Sequence, residues 1–223
     1  MPPRAESPRV FLLSPAHCGG KRAALLLRDE ADFPLAARLR GSEGITLGEA
    51  FSFLSGLYFR GKLAYASRFG RPPAGFAGAQ VITANRGLVA AQTKVGVDDL
   101  RAFGSVDIHA GDPRYRTPLM RDVARLAEHR ETELVLLGSV ATGKYVDVLL
   151  DVVGERLLFP TDFIGRGDMS RGALLLRAAR DGRELAYQAA AGALGRLRRT
   201  PRGAANGRDQ ERREDDANPQ GSR

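Results

Sequence analysis

Leu134-Val135-Leu136-Leu137, followed at once by Gly138-Ser139, is the stretch that decides the fold class. All four positions are apolar, without the alternation of a strand that shows one face to water. A strand buried on both faces has this composition and belongs in a parallel sheet covered by helices. Upstream, Thr117-Pro118 reads as an N-cap followed by proline at the first helical position, opening a helix that runs to about His129. Downstream, Thr142 to Val153 places Tyr145, Val148, Leu149 and Val152 at helical spacing, and Leu157-Leu158-Phe159 is a further strand closed by Pro160.

The same alternation holds nearer the start. Val10-Phe11-Leu12-Leu13 is a buried strand ended by Ser14-Pro15. Thr46-Leu47-Gly48-Glu49 has the form of a capping box and opens a helix through Phe69, with interruptions expected at Gly56 and Gly61. Gln80-Val81-Ile82-Thr83 is the next strand and stops at the Asn85-Arg86-Gly87 turn. Ala173–Arg177 and Glu184–Tyr187 flank Asp181-Gly182, which fits a hairpin or an Ala-rich helix. The order predicts an α/β protein: a single layered domain with a mostly parallel or mixed sheet flanked by helices. Residues 1–9 are expected as a flexible arm, 10–196 as the domain and 197–223 as a disordered tail, whose Gly, Pro, Asn, Arg, Asp and Glu leave almost nothing to bury.

The 223 residues are 43% hydrophobic with no Trp, so the core rests on Leu, Val, Ala and Phe. Net charge is +8, carried mainly by Arg; residues 196–223 hold eight Arg against five acids, which leaves +5 on the body. Such a balance favours polyanions, although arginine used generally in place of lysine gives the same total. Cys18 is alone, which excludes an intramolecular disulfide and a multi-cysteine metal site. His17, His109 and His129 are scattered. The first residues lack a signal-peptide core, and no apolar run approaches the roughly 20 residues of a spanning helix. The expectation is a cytoplasmic protein with no membrane contact, no cofactor and no metal.

Four segments carry candidate chemistry. Gly138-Ser139-Val140-Ala141-Thr142-Gly143-Lys144-Tyr145 spells G-x-x-x-x-G-K between a strand and a helix, the setting in which backbone N–H groups and one ammonium hold a phosphate. Tyr145 stands where a magnesium-binding hydroxyl belongs, so Lys144 on an ordinary turn fits as well. Ser14-Pro15-Ala16-His17-Cys18-Gly19-Gly20-Lys21-Arg22 lies beyond a strand's carboxyl end, with Lys21 and Arg22 able to meet phosphate and a His17–Cys18 nucleophile as a weaker reading. Tyr58-Phe59-Arg60-Gly61-Lys62-Leu63-Ala64-Tyr65 mixes cations with rings: Arg60 and Lys62 on phosphate and Tyr58 or Tyr65 on a base, or rings in the core and charges in water. Gly165-Arg166-Gly167-Asp168-Met169-Ser170-Arg171-Gly172 is a basic, glycine-rich loop in which Arg166 and Arg171 can grip an anion.

Taken in order, these segments resemble the YaaA-type peroxide-stress proteins and their shorter uncharacterised relatives. Leu13-Ser14-Pro15-Ala16 resembles that family's N-terminal signature, Leu136-Leu137-Gly138-Ser139 with Tyr145 its strand end and following helix, and Arg166-Gly167-Asp168-Met169-Ser170-Arg171 its Arg-Gly-x-Met-x-Arg segment. Arg60, Lys62, Tyr65 and Ala66 resemble its Arg/Lys helix, and Thr83 to Leu88 stands at its Gly-Leu turn. His17-Cys18 replaces a Lys-Thr pair, and a Pro-Tyr-Arg segment is missing after the turn. The resemblance implies an α/β fold with a basic cleft, nucleic-acid binding and a role in oxidative-stress protection.

The leading expectation is a nucleic-acid-binding protein using Ser14, Lys21, Arg22, Arg60, Lys62, Lys144, Arg166, Gly167 and Arg171. Its rival is an enzyme acting on a nucleotide, nucleoside or nucleobase, with Asp168 or Asp162 as general base. A third reading is an interaction module whose tail binds an acidic partner. The shared-cleft idea requires Ser14, Lys62, Lys144 and Arg166 to converge.

Overall fold

A computed structural model describes residues 7–140 and 143–192. The expected tail lies outside the described residues, as do the first six residues of the expected arm. Arg9, assigned to that arm, instead opens strand β1 (Arg9–Leu13) and is tied to Glu133 and Glu184 by ion pairs.

The protein is α/β with a six-stranded mixed sheet flanked by helices, in the order β4-β3-β1-β6-β7-β8. Strands β3 (Ala79–Ile82), β1, β6 (Glu133–Leu137) and β7 (Leu157–Pro160) run parallel. The edges β4 (Leu88–Ala90) and β8 (Tyr187–Ala189) are antiparallel. Leu134 to Leu137 and Val10 to Leu13 are completely buried at the sheet centre, as their unbroken apolar runs require. A separate two-stranded ribbon joins β2 (Ile45–Thr46) to β5 (Lys94–Val95).

Thr46 caps helix α3 (Leu47–Ser55) through the expected reciprocal box with Glu49. The chain breaks at Gly56, whose φ of +65° suits glycine, and resumes as α4 (Leu57–Phe69). Gly61 causes no break. It lies inside α4 and faces Gly172 of α8 (Asp168–Asp181); a Cβ on Gly61 would come within 2.5 Å of the Gly172 carbonyl oxygen. Missing side chains at both positions let the two helices touch backbone to backbone.

Three further expectations change. Asp112-Pro113, not Thr117-Pro118, starts α6 (Pro113–Ala127): the Asp112 carboxylate accepts from the Arg114 N–H, and Pro118 lies inside the helix. Of the two readings at Asp181-Gly182 the helix holds up to Asp181 and the hairpin does not form, because Gly182 in the left-handed region terminates α8. Most of the expected glycine-rich loop is therefore the first turn of that helix. The helix expected from Thr142 begins at Val146, as α7 (Val146–Val153); Thr142 itself is outside the described residues. Periodicity did not single out the short helices α1 (Lys21–Leu26), α2 (Pro34–Arg40) and α5 (Val97–Gly104). No helix among the described residues is long and apolar enough to cross a membrane.

Candidate functional site

Strand order places the site. From β1 the chain moves to β3 on one side and later to β6 on the other, so the carboxyl ends of β1 and β6 flank a topological switch point, where open α/β sheets bind ligands. Ser14 follows β1 directly, and its N–H donates to the Leu137 carbonyl at 3.1 Å.

Lys62 of α4 reaches this point from within. Its side chain is 1% exposed, and Nζ donates to the Ser14 carbonyl at 2.5 Å and to Ser14 Oγ at 2.9 Å. Nζ also lies 4.5 Å from the centre of the Tyr58 ring and 4.9 Å from that of Phe59. No carboxylate pairs with it, so burial disfavours its charged form and pulls the amine down to about 7, while the negative charge of Asp168 acts the other way. Tyr58 is buried too. Its hydroxyl makes no well-formed hydrogen bond among the described residues, and burial pushes it up to about 12 although the nearby Arg171 guanidinium acts the other way. Tyr145 is raised by burial first and by Asp168 second.

Helix α8 brings the rest of the glycine-rich segment alongside. Arg171 donates from Nε and Nη2 to the Phe163 carbonyl at 3.2 and 3.0 Å, and its Nη1 is 3.6 Å from Asp168. It is engaged in holding the turn before α8. Arg166 is exposed and donates to the Ser170 hydroxyl at 3.2 Å, and Gly167 is the N-cap residue of α8. The Asp168 side chain is largely exposed, and Asp162 is exposed in the 3-10 turn Thr161–Phe163.

Two concavities lie here. A cleft of about 590 Å³ runs between the Pro15–Gly19 loop, the Phe103–His109 segment and Lys144-Tyr145. Phe51, Phe103 and Ile108 give it apolar walls, and His17, Asp107, His109 and Lys144 supply polar groups. An open groove of about 720 Å³ is lined by Arg22, Arg60, Leu25, Phe53 and Met169 among others. Among the described residues neither Arg22 nor Arg60 has a carboxylate partner; Arg22 Nη1 donates to the Phe53 carbonyl at 3.3 Å.

The nine expected binding residues thus divide, with Gly167 and Arg171 taken up in the start of α8. Ser14 and Lys62 meet in the interior, Lys144 lines the cleft, and Arg22 and Arg60 line the groove. Lys21 is exposed beside Arg22, and Arg166 lines neither concavity. Neither of these two concavities is lined by Ser14, Lys62, Lys144 and Arg166 together. Tyr58 and Tyr65 are both in the core and cannot stack on a base, and Lys62 has no outlet to a surface phosphate.

In the G-x-x-x-x-G-K segment, of which Ala141 and Thr142 lie outside the described residues, the described part does not favour a phosphate. Helix α7 starts beyond Lys144, and the Asp147 carboxylate lies against Gly143, where a Cβ would be 2.0 Å from it. An acid at that point repels an anion. Cys18 donates weakly to the Ala16 carbonyl, and burial pushes its thiol up to about 12, opposite to the shift a nucleophilic thiolate needs. Among the described residues no group of three or more His, Cys, Asp or Glu side chains is placed to hold a metal ion.

Sequence reasoning did not pick out Leu25, Phe53, Phe103, Asp107 or His109. Leu25 was open to it: in a helix that starts at Lys21, Leu25 shares a face with Arg22. No family model matches the chain, and no curated protein or solved structure matches it.

Proposed function

We propose that the chain is a nucleic-acid-binding protein whose phosphate contacts are made by Arg22 and Arg60, with Lys21 and Arg166 on the surrounding surface. One observation carries this reading. Two arginines from separate helices line one open groove, and neither is neutralised by a carboxylate. Arg38, Arg86, Arg114 and Arg116 each sit on an acid, and what distinguishes Arg22 and Arg60 is that they share one groove. Unpaired guanidinium groups in a concave surface suit phosphate, to which they donate in pairs. The net charge of +8 and the resemblance to YaaA-type proteins support the same reading, and that resemblance extends it to oxidative-stress protection. The test is direct titration of DNA and RNA oligonucleotides: the Arg22→Ala, Arg60→Ala double variant is expected to lose most of the affinity. Unchanged affinity would refute the reading.

The second reading is an enzyme acting on a nucleotide, nucleoside or nucleobase, favoured by the cleft at the switch point. Its volume of about 590 Å³ lies within the range of small-molecule sites. His17, Asp107 and His109 are the proton-transferring groups there; Asp162 and Asp168 do not line it. Thermal shifts with nucleotides and nucleosides, without shifts from oligonucleotides, would favour the enzyme.

A further inference from the structure

The groove that holds Arg22 and Arg60 is not uniformly polar. Leu25 is 43% exposed and Met169 is 67% exposed, and both line it. The remaining exposed large hydrophobic residue among those described, Ile164, precedes α8 in the chain. Phe53 also lines the groove and is held by a stacked contact with Phe33, with ring centres 5.4 Å apart and planes 20° apart. The Arg22 guanidinium lies across Gly56, 2.8 Å from where a Cβ would stand, and bonds to the Phe53 carbonyl. It is therefore fixed against the apolar floor. The Ser52 and Ser55 residues complete the wall.

We infer that this groove takes an unstacked base of single-stranded nucleic acid, with flanking phosphates on Arg22 and Arg60. The inference rests on the nucleic-acid reading above and specifies the form of the polymer. The chemistry of the surface selects it. Two cations without a carboxylate partner call for an anionic chain, and an exposed thioether and leucine lining the same groove call for a flat apolar group on that chain. A duplex presents phosphates and base edges, but its base faces are stacked and cannot reach Met169 or Leu25. A single strand offers both, since each nucleotide carries a phosphate and a base whose face can be freed. Every base has an apolar face whatever the sequence, so the contact is expected to tolerate sequence changes. Tyr58 and Tyr65, being buried, cannot supply this platform.

The experiment measures affinity for a labelled oligo-dT strand and for a mixed-sequence duplex of equal length, at one salt concentration. The proteins are the full chain, the Leu25→Ala, Met169→Ala double variant and Arg60→Ala. Leu25 and Met169 are exposed, so the double variant is expected to keep the wild-type circular dichroism spectrum. The expected result is tighter binding to the single strand. The double variant should lose roughly tenfold on the single strand and stay within about twofold on the duplex, whereas Arg60→Ala weakens both. Equal affinity for the two forms, or single-strand binding indifferent to Leu25 and Met169, overturns the base site and leaves general nucleic-acid binding standing. No binding of either polymer overturns both. Binding of an acidic, leucine-containing peptide that depends on Met169, with oligonucleotides failing to compete, reassigns the groove to a protein partner.

Discussion

Lys62 donates two hydrogen bonds to one residue, Ser14, through its carbonyl and its hydroxyl. The contact ties the middle of α4 to the carboxyl end of β1 and leaves the amine without a counter-ion. Its value near 7 in the folded protein lies below the ordinary 10.5 of the unfolded chain. Unfolding in this range therefore takes up a proton. The contribution of Lys62 is fully present above the unfolded value and is lost as pH falls towards the folded one. The Lys62→Met variant removes that dependence. The unfolding free energy of wild type minus that of the variant is expected to rise between about pH 7 and pH 9, by about 1.4 kcal/mol per pH unit at most. A flat difference from urea titrations would mean that Lys62 titrates as an ordinary lysine.

Gly61 and Gly172 set the separation of α4 and α8. A Cβ on Gly172 would come within 2.8 Å of the Tyr58 Cα, so either Gly61→Ala or Gly172→Ala pushes the helices apart. Each is expected to cost about 1–3 kcal/mol, as overpacking does elsewhere. Gly167→Ser is the control: nothing lies within 4 Å of its added Cβ, and serine is a preferred N-cap residue. Denaturation midpoints should fall for the first two variants and hold or rise for the third.

Much of the architecture was legible because the parallel strands are unbroken apolar runs. The short antiparallel edges were not. Three residues of partly buried sequence, as at Leu88–Ala90, carry too little pattern to separate from a turn. The α6 start was misplaced because Asp112-Pro113 and Thr117-Pro118 have the same chemistry, and only tertiary packing decides between them. Lys62 was grouped with Arg60 as a surface cation. Helical spacing held the correction: Tyr58, Phe59, Lys62, Tyr65, Ala66 and Phe69 form one buried face, and Arg60 falls outside it. The groove was illegible, since it joins three segments far apart in the chain.

The capping box of α3 gives a prediction in acid. Hydrogen bonds from the Thr46 backbone and hydroxyl, with Arg38 alongside, hold the Glu49 carboxyl at about 2 instead of 4.5. Its contribution is present above the unfolded value and is lost as pH falls through the folded one. Thr46→Ala is expected to cost about 1 kcal/mol near neutrality. It removes the hydroxyl but keeps the backbone N–H, so it should reduce only in part the loss of stability below about pH 4, as followed by thermal melts across the acid range.

Cys18 should behave as an inert thiol. With its pKa pushed up to about 12 by burial, it holds almost no thiolate near neutrality. An aromatic disulfide reagent at about pH 8 is expected to react at least tenfold more slowly with native protein than with protein in denaturant. Equal rates would restore Cys18 as a nucleophile.

The salt dependence of DNA binding tests the central claim most directly. Each arginine on a phosphate releases condensed counterions, so log K should fall linearly with log salt, with a slope near −2 or steeper. Arg22→Ala and Arg60→Ala should each make that slope shallower by about 1. A slope near zero, or one that neither substitution changes, would contradict phosphate binding in this groove.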